Sequence, residues 1–442
     1  MRGGLLALFV ACGALAAGAG IPDLGAAALG QAGATVARPA DGTAIYYNPA
    51  ALASLEGTQL YLDARAVGHD VRFQRLDASG QNPAGFAESG SSGISVAPFF
   101  AATTRWRRFA FALGGHPATG STGYHYADPA TVRSPREAPQ RYLAIDQTSK
   151  IYIPVLAAAA EVLPGLAVGA ALQLPIGAFS DRQSVYAGPI AGEFAEFDAI
   201  LSLHATETFA RSGVLGVSWQ PRPWLAVGSS LQLQTHFRAS GNVEAQLPPV
   251  ATSLGLRLRG DRIAVDLIFP WIARTGVRVS GERWSLELAG TFERWSLLKE
   301  IRITPVDIAI ELGGKVLPLA PIVLQKHMRD SGSVRLGGEL RVTSAVVLRA
   351  GVLAESSAIP EERQGLDWLN WQRLSLNLGV GARLGRIEAS LAVARFLQPI
   401  RRVRDSQDLQ LAVIPGVTPA VVGNGDFDSR LTLAAASLST RL

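Results

Sequence analysis

The sequence predicts an all-β fold: a fourteen-stranded antiparallel barrel that crosses a membrane, with the N-terminal segment held in its lumen. Three observations point there. Apolar and polar residues alternate with a period of two in stretch after stretch. Short turns alternate with long, irregular connections. The chain carries little charge, yet has no run suited to a spanning helix. Period two is strand geometry, because successive side chains point to opposite faces.

Composition narrows the class first. Of 442 residues, 17% are charged, against about 25% in ordinary soluble domains. With 48% hydrophobic residues the chain is not disordered. Its one cysteine, Cys12, excludes a disulfide scaffold and thiolate-bound zinc. The net charge of +5 comes from arginines spread singly through apolar stretches. Nucleic-acid binding needs them gathered on one face, so no nucleic-acid partner is expected. The six histidines show no metal-ligand spacing and no nucleophile motif appears, so neither cofactor, metal nor catalytic residue is assigned.

Residues 1–18 read as a signal peptide: Arg2, then an apolar run from Leu5 to Leu15, then small residues around Ala16–Gly18. An uncleaved anchor is the alternative. The longest apolar run, Ile151 to Phe179, contains Pro154, Pro164-Gly165 and Pro175. Pro-Gly is a turn signal, so the run reads as a hairpin of two strands rather than one helix. Its second half sets Leu166, Val168, Ala170 and Leu172 against Ala167, Gly169, Ala171 and Gln173. Similar alternation marks 224–237, 284–295, 334–342 and 373–384, where Leu374, Leu376 and Leu378 oppose Ser375, Asn377 and Gly379.

Short links fall at 106–108, 163–165, 221–223, 281–283, 343–345 and 384–386. Long ones fall at 67–92, 117–140, 177–198, 239–262, 304–332, 355–372 and 405–428. Short turns at one end and long loops at the other are the pattern of an outer-membrane barrel. The strands counted between them lie near 58–66, 93–105, 108–116, 141–161, 165–176, 199–219, 223–238, 265–280, 283–303, 333–342, 346–354, 373–384, 386–400 and 429–442. Closure follows from the solvent: in a bilayer every backbone donor and acceptor must be paired. Charged residues on the polar faces, among them Glu287, Glu293, Glu339, Arg335, Arg341 and Arg383, are expected to pair with one another and with the N-terminal segment.

Residues 19–55 do not alternate, and Gly25, Gly30 and Gly33 break any long helix. A nearly uncharged segment that packs but cannot span fits inside a lumen of this width. A periplasmic leader is the other reading. The domain division is thus signal 1–18, plug 19–55 and barrel 56–442.

Particular residues carry a resemblance. Leu29-Gly30-Gln31-Ala32-Gly33-Ala34, then Ala40-Asp41-Gly42, then Tyr46-Tyr47-Asn48-Pro49-Ala50-Ala51-Leu52 resemble the N-terminal hatch of the FadL-type long-chain fatty acid transporters. Met328 to Leu340, Phe292 to Ser296 and Asn424-Gly425-Asp426-Phe427 also resemble that family. The resemblance implies a lumenal hatch carrying Asn48, Pro49 and Ala50, and passive uptake of hydrophobic molecules across the bacterial outer membrane. It implies a kink in the third strand that opens sideways into lipid; the matching residues are Gly114, Gly115 and Pro117, next to His116. Those residues read equally as the strand's end. It also implies a ligand contact at the mature N-terminus, where Ile21 stands in place of the family's usual aromatic residue. The chain ends in Leu442, where the family usually ends in an aromatic.

Val316, Leu317, Leu319, Ile322, Val323 and Leu324 form a Pro-punctuated apolar stretch in a long loop. They are the candidate ligand contacts, with mutual packing as the alternative. The expected partners are a fatty acid or hydrocarbon and the surrounding lipid and lipopolysaccharide, for a monomeric barrel. The competing classes are a general porin for polar solutes and a structural or adhesin barrel.

Overall fold

The computed structural model describes residues 23–118, 122–253, 255–312, 314–369, 371–412 and 417–442. Fourteen strands form the ring. They are β1 (Thr58–Arg75), β2 (Ser89–Trp106), β3 (Phe109–Pro117), β4 (Asp146–Leu163), β5 (Leu166–Gln173), β6 (Ser212–Arg222) and β7 (Leu225–Gln232). The ring continues with β8 (Ile272–Ser280), β9 (Trp284–Glu293), β10 (Ser331–Arg341), β11 (Val346–Glu355), β12 (Arg373–Leu384), β13 (Ile387–Leu397) and β14 (Gly425–Arg441). Each pairs antiparallel with the next. β14 closes the ring on β1, from Gln59↔Arg441 to Arg75↔Gly425.

The alternation sorts side chains as a membrane solvent requires. On β12, Leu374, Leu376 and Leu378 are 55%, 57% and 63% exposed, while Ser375 and Asn377 between them are 1% and 2% exposed. A soluble sandwich turns its leucines the other way; here they face lipid and the polar side faces the bore. The short links are tight hairpins: Trp106 pairs with Phe109, Leu163 with Leu166, and Leu384 with Ile387. In Pro164-Gly165 the glycine has φ +77°, a left-handed value that a side chain resists.

Several expected boundaries change. β1 and β2 reach Arg75 and Ser89, well into the expected loop. β5 to β10 are each interrupted and resume as an outer tier: Ile176–Tyr186, Asp198–Glu207, Thr235–Gln246, Arg262–Phe269, Glu300–Pro305 and Ile322–Gln325. The tier's strands pair in the same order as the ring below, starting from the outer half of β4. Pro175 and Pro270 sit in two of the interruptions, where a missing N–H breaks the ladder. The expected loops 177–198, 239–262 and 304–332 therefore contain strand, including a small sheet of Arg257–Arg259, Ala309–Leu312 and Lys315–Pro318. Above the bilayer the alternation persists but inverts: on Thr235–Gln246, Phe237, Ala239 and Val243 are buried while His236, Arg238 and Ser240 are exposed.

β14 alternates poorly for a different reason. Its inward residues include Leu431, Leu433 and Ala435, which pack with Ala26, Leu29 and Ala32 of the N-terminal segment. That segment is almost wholly buried. It folds as α1 (Ala26–Gly30), α2 (Ala44–Tyr47) and a 3-10 helix, Pro49–Ser54. Gly25 and Gly33, both with positive φ, bound the first of these.

Candidate functional site

The inner part of the bore is occupied by main chain. Three cross-strand glycine pairs on the ring face residues 23–55: Gly169 with Gly216, Gly228 with Gly276, and Gly337 with Gly351. A Cβ on Gly169 or Gly216 would come within 3.0 Å of Ala50 or Asn48. One on Gly228 would meet Val36 and Ala37, and one on Gly337 or Gly351 would meet Gln31. Gly30 in turn lies against Gly379 of β12. With no side chains there, segment and wall approach backbone to backbone.

Asn48, Pro49 and Ala50 sit on the first glycine pair. The Asn48 amide donates to the Val36 carbonyl (3.1 Å) and to the Val217 carbonyl on β6 (3.0 Å). Its Oδ1 accepts from the Ala50 N–H (3.1 Å), capping the 3-10 helix that Pro49 begins. Buried Asn48 thus ties the segment both to itself and to the wall. Other wall groups satisfy the segment's main chain. Asp63 accepts from Ala26 N–H (2.9 Å) and Glu287 from Ala37 N–H (2.8 Å). Asn377 donates to Leu29 O (2.7 Å), Ser230 to Tyr47 O (2.6 Å), and Arg65 to Asp23 O (3.0 Å). The expected pairing of lumen charges includes Arg278 and Arg349 with Glu339 (2.7 and 3.4 Å), and Arg383 with Glu388 (2.9 Å).

The outer part of the bore is a cavity of about 960 Å³. The outer tier builds its wall: Phe179, Leu203, Val265, Leu267, Phe269, Ile301, Ile303, Val323 and Leu324. Trp295 and Trp368 add a T-shaped pair, ring centres 6.0 Å apart, and Phe269 meets Trp295 edge-on at 6.2 Å. At one side the wall turns polar, with Lys326, Arg363, Asp181, Asp367 and Asp408. Lys326 forms an ion pair with Asp367. Burial opposes its charge, but Asp367 and Asp408 outweigh that and hold the ammonium above its ordinary range. Burial pushes the Asp181 carboxyl up to about 6. Asp181 lies beyond Ile176, the last large exposed apolar residue of its strand, and so outside the lipid-facing band.

Of the candidate contacts, Val323 and Leu324 line the cavity. Ile322, one step earlier, pairs with Ile303 at the start of its strand. Leu317 pairs with Ile310 in the small outer sheet, and Leu319 packs, half-buried, on the apolar cluster that includes Ile45 and Trp295. Ile21, like residues 1–18, lies outside the described residues. The remaining cavity wall is drawn from strands far apart in sequence. The motif Phe292 to Ser296 held one signal of it, Trp295.

At Gly114–Pro117 the alternation of β3 fails, and four successive residues are buried. The β2–β3 ladder stops at Phe100↔Gly115, while β1 still pairs with β2 out to Ser89. Among the described residues, Ser89–Phe99 therefore has a ladder on one edge only, and Ile94 and Val96 there are exposed. A Cβ on Gly115 would strike the Tyr152 ring, and one on Gly114 the Phe100 carbonyl. His116 beneath them is buried edge-to-face with Tyr46 (5.2 Å) and Phe99 (5.8 Å).

A closed ring with leucines outside and arginine, glutamate and serine inside is a transmembrane β-barrel of the outer-membrane class. The chain belongs to the family described as outer membrane protein transport protein (OMPP1/FadL/TodX), which it matches over residues 7–367. It is an outer-membrane channel protein for hydrophobic small molecules. Solved structures share the fold at low identity. A Pseudomonas aeruginosa FadL homologue is 16% identical with a TM-score of 0.74, covering 96% of this chain and 99% of that one. The Ralstonia pickettii toluene transporter TbuX is 15% identical, TM-score 0.66, covering 95% and 98%. The Pseudomonas putida toluene transporter TodX is 15% identical, TM-score 0.66, covering 96% and 99%. No curated protein matches the chain by sequence.

Proposed function

We propose that the outer cavity captures a hydrophobic molecule, that residues 19–55 are a plug which shifts to let it pass, and that it leaves sideways between β2 and β3 at Gly114, Gly115 and Pro117. Residues 1–18 are then a removed signal peptide and 56–442 the barrel. One observation carries this reading: an apolar, aromatic-lined cavity opens at the outer end of a bore whose inner end is filled by main chain. A route straight down meets the glycine-seated segment. The one-sided edge of β2 offers a path to lipid. Cargo that enters the bilayer gains about 0.8 kcal/mol per methylene removed from water, so passage needs no energy source.

The test is a lock. Val36 of the segment packs against Ala289 of β9. The pair Val36→Cys and Ala289→Cys, oxidised, is expected to stop uptake of a neutral apolar dye into outer-membrane vesicles, and reductant to restore it. Full uptake through the locked protein removes the plug from the mechanism.

A further inference from the structure

The polar side of the cavity is poorly suited to an anion. The charged groups lining it are Lys326 and Arg363 against Asp181, Asp367 and Asp408. Lys326 is already held by Asp367. Arg363 is committed to the Gln407 side chain (2.6 Å) and the Gln325 carbonyl (3.2 Å). Asp181 accepts from Gln147 (2.8 Å). Asp408 differs: it lines the cavity within charge range of Lys326 and Arg363, but among the described residues no hydrogen-bond donor meets its carboxylate. A carboxylate that lines an apolar chamber without a hydrogen-bond donor can take one from a ligand.

We infer that the cavity takes an apolar molecule bearing one hydrogen-bond donor and no negative charge, such as an alcohol, phenol or amine, with its donor on Asp408, and that it discriminates against ionised carboxylates. This rests on the uptake reading above and narrows its cargo. An anionic head would enter a site where carboxylates outnumber cations three to two and both cations are engaged. Like charges in a part-buried site repel strongly, whereas a donor there completes a charge-assisted hydrogen bond. The Trp295–Trp368 pair and the aliphatic wall then hold the hydrocarbon body.

The test uses the whole protein in detergent with N-phenyl-1-naphthylamine as the bound probe. Competitors share one ring system: naphthalene, 1-naphthalenemethanol, 1-naphthylmethylamine and 1-naphthoate, at pH 7.5. The alcohol and amine are expected to displace the probe at least tenfold more effectively than the naphthoate, and more effectively than naphthalene. Asp408→Asn is expected to shrink the gap between alcohol and naphthoate at least threefold, with the heat-dependent gel shift of a folded barrel unchanged. Naphthoate competing as well as the alcohol, or a gap unmoved by Asp408→Asn, overturns the inference while leaving uptake of hydrophobic cargo standing. Failure of the probe itself to bind overturns the uptake reading, and this inference with it.

Discussion

The two halves of the bore are built from the same strands but with opposite surfaces. In the inner half the ring offers bare backbone at Gly169, Gly216, Gly228, Gly337 and Gly351, and the N-terminal segment lies on it with its own main chain hydrogen-bonded to the wall. In the outer half Phe179, Phe269, Trp295 and Trp368 line a chamber, with Trp295 edge-on to both Phe269 and Trp368. Side-chain size on the inward face decides whether the bore is filled by the chain or left as a chamber. The interruption of β5 to β10 marks the change, because the tier above it supplies most of the chamber wall.

The sharpest way to break this contrast is at the chamber. Trp295→Ala removes an aromatic at the centre of its wall, where such truncations cost about 2 kcal/mol or more, so probe affinity is expected to fall at least thirtyfold. Fluorescence titration measures it, and an affinity within threefold of the parent denies the chamber its role. Next is the seat. Gly216→Val places atoms where Asn48 and Pro49 lie. Overpacking costs about 1–3 kcal/mol, which lowers the docking equilibrium constant of the segment by about five- to over a hundredfold. Single-channel recording is expected to show ion conductance rising. Gly290→Val, where a Cβ meets nothing nearer than 3.9 Å, is expected to leave it flat. Equal behaviour of the two variants separates the glycines from the plug.

Asn48→Ala probes the tether rather than the seat. It leaves the Val36 and Val217 carbonyls without their donor and the 3-10 helix without its cap. A loss of about 1–2 kcal/mol is expected in segment docking, with barrel assembly intact. Hydrogen exchange at residues 43–54 reads it, and loss of the gel-shifted barrel band at unchanged exchange contradicts it. The smallest effect is that of pH on the chamber. The Asp181 carboxyl is raised to about 6 by burial, so the folded state holds its proton more tightly than the unfolded state. Its contribution therefore weakens as pH rises from about 4 through about 6. Protection against exchange, taken relative to the intrinsic rate at each pH, is expected to fall over that range in the hairpin of Ile176–Tyr186 and Asp198–Glu207 in the parent and not in Asp181→Asn.

Much of the ring was legible because lipid on one side and a polar bore on the other impose strict alternation. Leu374 to Leu378 show it without any tertiary information. Asn48-Pro49-Ala50 was legible as a motif, but its footing on Gly169 and Gly216 was not, since neither glycine breaks the alternation of its strand. The outer tier was legible only in part: 199–219 reads as one strand running through Asp198–Glu207, whereas Ile176–Tyr186, Ile322–Gln325 and the end of Thr235–Gln246 fall in expected loops. The apolar stretch from Val316 supplied Val323 and Leu324 to the chamber but not its aromatic centre.

Solvent acts on each residue separately, so a one-dimensional pattern sufficed to declare a strand, its outward face and the closure of fourteen strands into a ring. A cavity wall is a relation among residues such as Phe179, Trp295, Trp368 and Asp408, which meet only when the tiers stack. The seat of the N-terminal segment is a relation between absent side chains on strands far apart in the chain. Neither leaves a local period to read, because the distances that define them exist only in the folded barrel.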